Sequence, residues 1–441
     1  MKFLTLIFTA FLTASSAFAA PKTVVVNPTS LRTHYLNRNV GLAIALNDVQ
    51  QAKVQVIQAR ANLLPSVNLG GVISSGAGFM LNSVSMLLPF LMPSNWMDLK
   101  ESSHLLNAQG TSYYLAQLNG YASAYAIYQT IIGDMQLRSA LFKQYQNFKA
   151  IEEQLRLPAE SGIIPKEDYL QAQAQAQMAL VQVSQIDELL KKEKASVRQM
   201  LGLELDQEIV FEPSRVTSSA AESQTPVALL EKIHESSPET QQIKSLITAA
   251  QYNKWSKGFS FLNGASLNSN RTGGSFSSIA GSGSVNLGFG YFPALELSNL
   301  HIEQMRLRKK ELRLDQANLI ETTLGSLEEA QKQLQAAIIA ENNLRKVYDA
   351  EFMRYQNGIT DILHVLQAGN SLTNSIVAKV KAETAVDTLR VSLHRMMISD
   401  QFAKIENCKI ERQTGGGIKG KLGRIFKPEK YKVSLDQVCG N

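Results

Sequence analysis

The chain has 441 residues, a formal net charge of +6 and two cysteines. Nine Lys/Arg lie between Lys404 and Lys432 against Glu406, Glu411 and Glu429, so the excess sits in a basic C-terminal tail over 401–441 and the body is nearly neutral. This pattern excludes a body built to bind nucleic acid, and six scattered histidines (34, 104, 234, 301, 364, 394) with no CxxC argue against a metal site or a metal cofactor.

Residues 1–20 read as a secretory signal: Lys2 gives the positive start, Phe3 to Leu12 the apolar core, and Ala17-Phe18-Ala19 the small-residue cleavage site. The mature chain is therefore expected outside the cytoplasm. No later segment is an uninterrupted apolar helix of spanning length; the densest, 76–96, is broken by Pro89 and Pro93. Any membrane crossing must then use strands.

The body is written twice. A shift of 196 residues carries Gly162 to Gly358, Leu170-Gln171-Ala172 to Leu366-Gln367-Ala368, and a helix start at Ser30 to Pro226. The first repeat, 21–202, reads as a helix, strands 65–74 and 83–91, a long helix 98–156, a glycine turn and a helix 166–202. A linker over 203–225 follows, with a short apolar stretch at 208–211. The second repeat, 226–400, gives a helix, strands 259–270 and 282–291, a long helix 294–357 and a helix 359–398. The long helices would extend about 90–95 Å at about 1.5 Å per residue, and such helices need partners along their length.

Heptad spacing supplies those partners. Ala172, Ala176, Ala179, Val183, Ile186, Leu190, Glu193, Val197 and Met200 follow a 4-3 seam, and Ala368, Leu372, Ser375, Lys379, Ala382, Val386, Leu389, Leu393 and Met396 repeat it. The second long helix carries two stripes, one of Leu324, Leu327, Leu334 and Ile338, the other of Ala330, Ala337, Leu344 and Val347. Two stripes imply a neighbour on each side, as in a tube of helices; a solid bundle is the alternative.

The strands alternate apolar with small or polar residues, most clearly Val285, Leu287, Phe289 and Tyr291 against Ser284, Asn286, Gly288 and Gly290. That is the pattern of a membrane β-barrel strand, with a Gly/Ser-rich loop, 271–284, leading in. Trp96, Trp255, Tyr291 and Phe292 lie at helix–strand junctions, where an aromatic girdle would meet outer-membrane lipid. Four strands cannot close a barrel and open edges cannot sit in lipid, so the chain must oligomerise; a homotrimer gives twelve strands. In an exported chain Cys408 and Cys439 are expected to pair as a disulfide that ties down the tail.

With these elements in place, the sequence resembles the TolC-like outer-membrane efflux channels. The resemblance rests on Ala59-Arg60-Ala61-Asn62-Leu63-Leu64-Pro65 leading into the first strand, Ser161-Gly162 with Asp168-Tyr169-Leu170-Gln171-Ala172, and Arg354-Tyr355-Gln356-Asn357-Gly358-Ile359 with Val365-Leu366-Gln367-Ala368. It covers about residues 30–400. It implies a mainly α fold with a membrane β part: a homotrimeric 12-stranded β-barrel in the outer membrane of a Gram-negative bacterium on a long periplasmic α-helical barrel. It further implies docking to a periplasmic adaptor (membrane fusion) protein and an inner-membrane transporter of RND, ABC or MFS type, for efflux or type I secretion. The turns at Gly162-Ile163 and Gly358-Ile359 correspond to the tips that meet the adaptor. Tyr355 and Asp168 match residues of the links that hold the periplasmic end shut. Two family aspartates of the constriction correspond to His364 and Gln367, the arginine of the closing link to Thr360, and Asp361 is the acid left in that stretch. The gate would thus be held and charged differently. No nucleophile elbow or phosphate loop points to an enzyme. An exported trimeric coiled-coil scaffold of the same fold, without transport, is the other reading.

Overall fold

Helix α1, Pro28–Arg38, begins two residues ahead of Ser30, because Asn27 caps it. The Asn27 side chain accepts from the Ser30 N–H at 2.9 Å, and the Ser30 hydroxyl accepts from the Asn27 N–H at 2.9 Å. This reciprocal box satisfies two otherwise unpaired donors, and Pro28, which has no N–H to lose, fits the first helical position. The second repeat starts alike: Thr225 caps α5, Pro226–Ser236, whose first residue is again proline. Pro28 is therefore the counterpart of Pro226, a spacing of 198, which corrects the alignment of Ser30 with Pro226.

The structure, a computed structural model, describes residues 23–63, 90–260, 265–268, 280–283 and 290–407. The signal segment 1–20, strand 65–74, most of strands 83–91 and 282–291, most of the Gly/Ser-rich loop, and most of the tail, with Cys408 and Cys439, lie outside the described residues.

Each repeat opens on two helices where the periodicity suggests one. Helix α1 stops at Asn39, whose N–H bonds Tyr35 O at 3.2 Å, and α2 continues over Val40–Ala61. In the second repeat Ser237 ends α5 and caps α6, Pro238–Phe259. The long helices follow: α3, Pro93–Glu160, of 68 residues, and α7, Tyr291–Gln356, of 66. Helix α3 outruns the predicted 98–156 at both ends; Pro158 lies in its last turn, where a missing N–H removes one bond. Helix α7 begins at Tyr291, so the predicted strand end at 291 is corrected to a helix start. The returning helices are α4, Lys166–Met200, and α8, Ile362–Met397. The spacing between repeats is 198 from Pro28/Pro226 to Pro93/Tyr291 and 196 from Gly162/Gly358 onward.

The described strands are short. β1, Thr23–Val26, pairs in parallel with β2, Glu208–Phe211, from Thr23 opposite Glu208 to Val26 opposite Phe211. Val26 and Phe211 are buried. β3, Ala265–Asn268, pairs antiparallel with β4, Ala280–Gly283. Of the predicted strand 259–270, Ala265–Asn268 is β3 and Phe259 and Ser260 are helical, while 261–264 and 269–270 lie outside the described residues. β4 straddles the predicted loop 271–284 and the start of the predicted strand 282–291; its first two residues, Ala280-Gly281, have little β-propensity to betray it. Phe90 and Leu91, at the end of predicted strand 83–91, are helical.

The chain divides into two compact units, and each draws on both repeats. One contains 23–39, 124–215 and 339–381; the other contains 40–123, 216–338 and the chain from 382. The core of the first packs Phe148, Ile151 and Leu155 of α3 against Ala172, Ala176 and Ala179 of α4 and Ile362, Val365 and Leu366 of α8. The alanines of the seam let these helix backbones approach closely. The core of the second joins Ala221, Leu229 and Ile233 to Ile320, Leu327 and Ala330 of α7 and Val386, Leu393 and Met396 of α8. The 4-3 seams of α4 and α8 are buried as their spacing requires, with Ile186, Glu193, Met200, Lys379 and Leu389 half-buried. One stripe residue departs: Val347 is exposed.

Candidate functional site

Two tight turns join the long helices to the returning ones, and they are built alike. Gly162 has φ +76° and Gly358 φ +69°, the left-handed region that glycine enters without steric cost. Around the first, Gly162 N–H bonds Ala159 O at 3.3 Å and Ile163 N–H bonds Pro158 O at 2.9 Å. Around the second, Gly358 N–H bonds Tyr355 O and Ile359 N–H bonds Arg354 O, both at 2.9 Å. These are paired 5→2 and 6→1 closures, which satisfy the last helical carbonyls. The isoleucine after each glycine stands in solvent, Ile163 at 78% and Ile359 at 73% exposure.

Beside the second turn, Asp361 opens α8. Its Oδ1 accepts the His364 N–H at 3.2 Å, the bond of a helix cap, and lies 3.9 Å from His364 Nε2. Both side chains are exposed. His364 and Gln367 begin a continuous exposed stripe along α8: His364, Gln367, Ser371, Asn374, Ala378 and Lys381, alternating steps of three and four. It bears no carboxylate. Thr360 is half-buried in the turn. Tyr355 packs against the core cluster of this unit, and its phenol is held above its ordinary range by burial and then by the Asp168 carboxylate. Tyr355 and Asp168 are thus brought together, while Asp361, His364 and Gln367 share the opening of α8.

The aromatic residues lie on helix ends. Trp96, in the first turn of α3, donates from Nε1 to Phe90 O at 2.8 Å and meets the Phe90 ring edge-on at 5.2 Å. Trp255 stacks on Phe259 near the end of α6. Tyr291 donates from its hydroxyl to Gly258 O at 2.7 Å, and Phe292 beside it is exposed. Bonds from Asn253 to Glu101, at 2.9 and 3.0 Å, tie the α6 end to the start of α3. Farther along α7, Leu297, Leu300, Leu307 and Leu314 form an apolar stripe at steps of three, seven and seven, each at least 60% exposed.

Two clusters escaped the sequence reading. In the linker, Glu222 accepts Ser219 N–H at 2.8 Å, Arg390 Nε at 3.0 Å and Nη2 at 3.3 Å, and Gln331 Nε2 at 3.1 Å. It straps the linker to α8 and α7. The sequence signal was its capping-box spacing from Ser219. In the other unit, Asp134 and Glu193 place two carboxyls together between α3 and α4; the signal was the charge that interrupts the α4 seam. Among the described residues, no helix is long and apolar enough to cross a membrane, and no three acidic, His or Cys side chains gather as metal ligands would.

No protein-family model and no curated protein matches the sequence. The fold has clear counterparts among solved structures. The Campylobacter jejuni CmeC outer membrane channel superposes with a TM-score of 0.68 at 13% identity, covering 89% of this chain and 93% of that one. The outer membrane protein VceC from Vibrio cholerae gives 0.65 at 15% identity, covering 84% and 95%. The open state of the Neisseria gonorrhoeae MtrE outer membrane channel gives 0.64 at 13%, covering 84% and 88%. The chain is mainly helical and shares the fold of these outer-membrane channels, as its resemblance to the TolC-like group implies.

Proposed function

We propose that this chain is one subunit of a homotrimeric outer-membrane channel, a passive conduit in a tripartite efflux pump or a type I secretion system. The observation that carries the reading is the likeness to outer-membrane channels over 84–89% of the chain in the three structures compared. Two physical arguments support an oligomer. The exposed leucine stripe Leu297, Leu300, Leu307 and Leu314 has the spacing of a helix seam without its partner. A β3–β4 pair standing alone would also leave open edges that lipid cannot satisfy. Three chains of four strands give a closed twelve-stranded barrel, with the long helices in the periplasm. The Gly162-Ile163 and Gly358-Ile359 turns are the adaptor-facing tips in this reading, and the adaptor recruits an RND, ABC or MFS transporter. Tyr355, Asp168 and Thr360 belong to the closing links, and Asp361, His364 and Gln367 ring the mouth.

Extraction in mild detergent, mass determination and planar-bilayer recording test the proposal. A trimer that conducts is expected. A monodisperse soluble monomer overturns the channel, and a membrane-inserted trimer without conductance favours the scaffold reading.

A further inference from the structure

Helix α4 buries Ala172, Ala176, Ala179, Val183, Leu190 and Val197, and Glu193 occupies the seam position between the last two. Asp134 of α3 meets it there. The duplication supplies an internal control. At the spacing of 196, Asp134 corresponds to Ala330 and Glu193 to Leu389, and those two pack in one apolar cluster of the second repeat. The first repeat has a carboxyl pair where its copy has an ordinary hydrophobic contact.

Asp134 Oδ2 and Glu193 Oε2 are both buried and take no donor from the described residues. The carboxyls lie within hydrogen-bonding reach of each other. Two adjacent carboxylates cannot both ionise cheaply in such a place, and a proton held between them supplies the missing donor. Burial, then the Asp134 charge and its hydrogen bond, push Glu193 up to about 7. Burial also raises Asp134, with the Glu193 bond and Lys381 opposing. Lys381 faces Asp134 from α8, Arg138 of α3 binds Asp187 of α4, and Lys379 of α8 binds Glu341 of α7 at 2.9 Å.

We propose that Asp134 and Glu193 form a proton-dependent latch between α3 and α4, closed over one shared proton and loosened when that proton leaves. The sign follows from the direction of the shift. Folding raises the affinity of the pair for its proton, so the stabilisation is complete in acid, below the ordinary carboxylate range, and is lost as pH rises through about 7. The copy at Ala330 and Leu389 has no titrating group at those positions, so only one of the two duplicated seams responds.

Hydrogen exchange on the full-length protein, compared at about pH 6 and about pH 8 after correction for intrinsic rates, tests this. Peptides spanning 130–140 and 186–197 should lose about tenfold in protection in all between the two pH values, with no further loss at higher pH, while the Ala330 and Leu389 segments hold steady. Glu193→Gln, which keeps a donor at every pH, should abolish the loss, as should Glu193→Leu, the residue of the second repeat. Asp134→Asn carries the same comparison should the Glu193 variants fail to fold. An equal loss in wild type and variants overturns the latch. The readout is local to the seam and does not depend on conduction.

Discussion

Ile398 holds φ +48° at the position where the first repeat has Gly202 at φ +59°. The closures match: Gly202 N–H bonds Gln199 O at 3.2 Å and Leu203 N–H bonds Arg198 O at 3.0 Å, while Ile398 N–H bonds Arg395 O at 3.2 Å and Ser399 N–H bonds His394 O at 3.0 Å. Left-handed backbone costs a β-branched residue about 1–2 kcal/mol. The surroundings hold it in place: His394 donates from Nε2 to Thr217 O at 2.9 Å and accepts the Ser399 hydroxyl at Nδ1, 2.8 Å. Ile398→Gly should therefore leave the unfolding midpoint nearly unchanged, within about 1 kcal/mol, because relief of strain offsets the lost side chain. Gly202→Ala should cost about 2–4 kcal/mol, since its Cβ would also stand 2.5 Å from Arg38 O. Denaturant melts of the two variants measure the contrast.

Glu222 is the second test. Burial acts to raise its carboxyl, but the Arg390 bonds, Ser219 N–H and Gln331 outweigh it and hold the group below its ordinary value. A depressed carboxylate stabilises the fold above the unfolded value, and that stabilisation is lost as pH falls through the folded one. Glu222→Gln should cost about 2 kcal/mol near neutrality and flatten the acid limb of a stability–pH profile. Equal acid sensitivity in the variant would show that other carboxylates set that limb.

Gly369 on α8 admits no side chain. A Cβ there would lie 2.8 Å from Gln144 Nε2 and 2.9 Å from Phe148 Cε1 on α3. Gln144 can swing aside, but the Phe148 ring is locked in the core. Gly369→Ala should destabilise by about 1–3 kcal/mol, and thermal melts of the pure protein would reveal it.

If α8 lines the conduit, charge at its opening sets ion preference. His364→Asp adds a negative charge per subunit at the head of a stripe without carboxylates, and should raise cation-over-anion selectivity several-fold. Asp361→Asn should act in the opposite sense while weakening the α8 cap. Reversal potentials across a salt gradient give the answer, and unchanged values would place these side chains away from the lumen.

The helical frame was legible because its signals are long and redundant. The Gly162 and Gly358 turns, the alanine-rich seam of α4 and the absence of proline through most of α3 all agree with one another. What escaped is short or tertiary. β1 is four residues whose β-branched run has meaning only once β2 lies beside it, with Thr23 opposite the distant Glu208. The α1–α2 break depends on one asparagine. Around the turns, sequence reasoning named Asp361 as a lone acid but not as the α8 cap, a role that takes a backbone N–H in space to define. Glu193 was visible as a fault in a seam, yet its partner Asp134 lies on another helix.

Helix α3 has two residues more than α7. At about 3.6 residues per turn, two residues rotate everything downstream by about 200° and advance it by about 3 Å. A pair gained or lost inside a helix would swing its buried seam toward solvent. The buried positions instead keep one register: Leu106 and Ile302, Ala124 and Ile320, and Ile131 and Leu327 are all buried at a spacing of 196. The extra pair therefore lies ahead of Leu106, in the first turns of α3, and beyond it the two long helices turn equivalent faces inward.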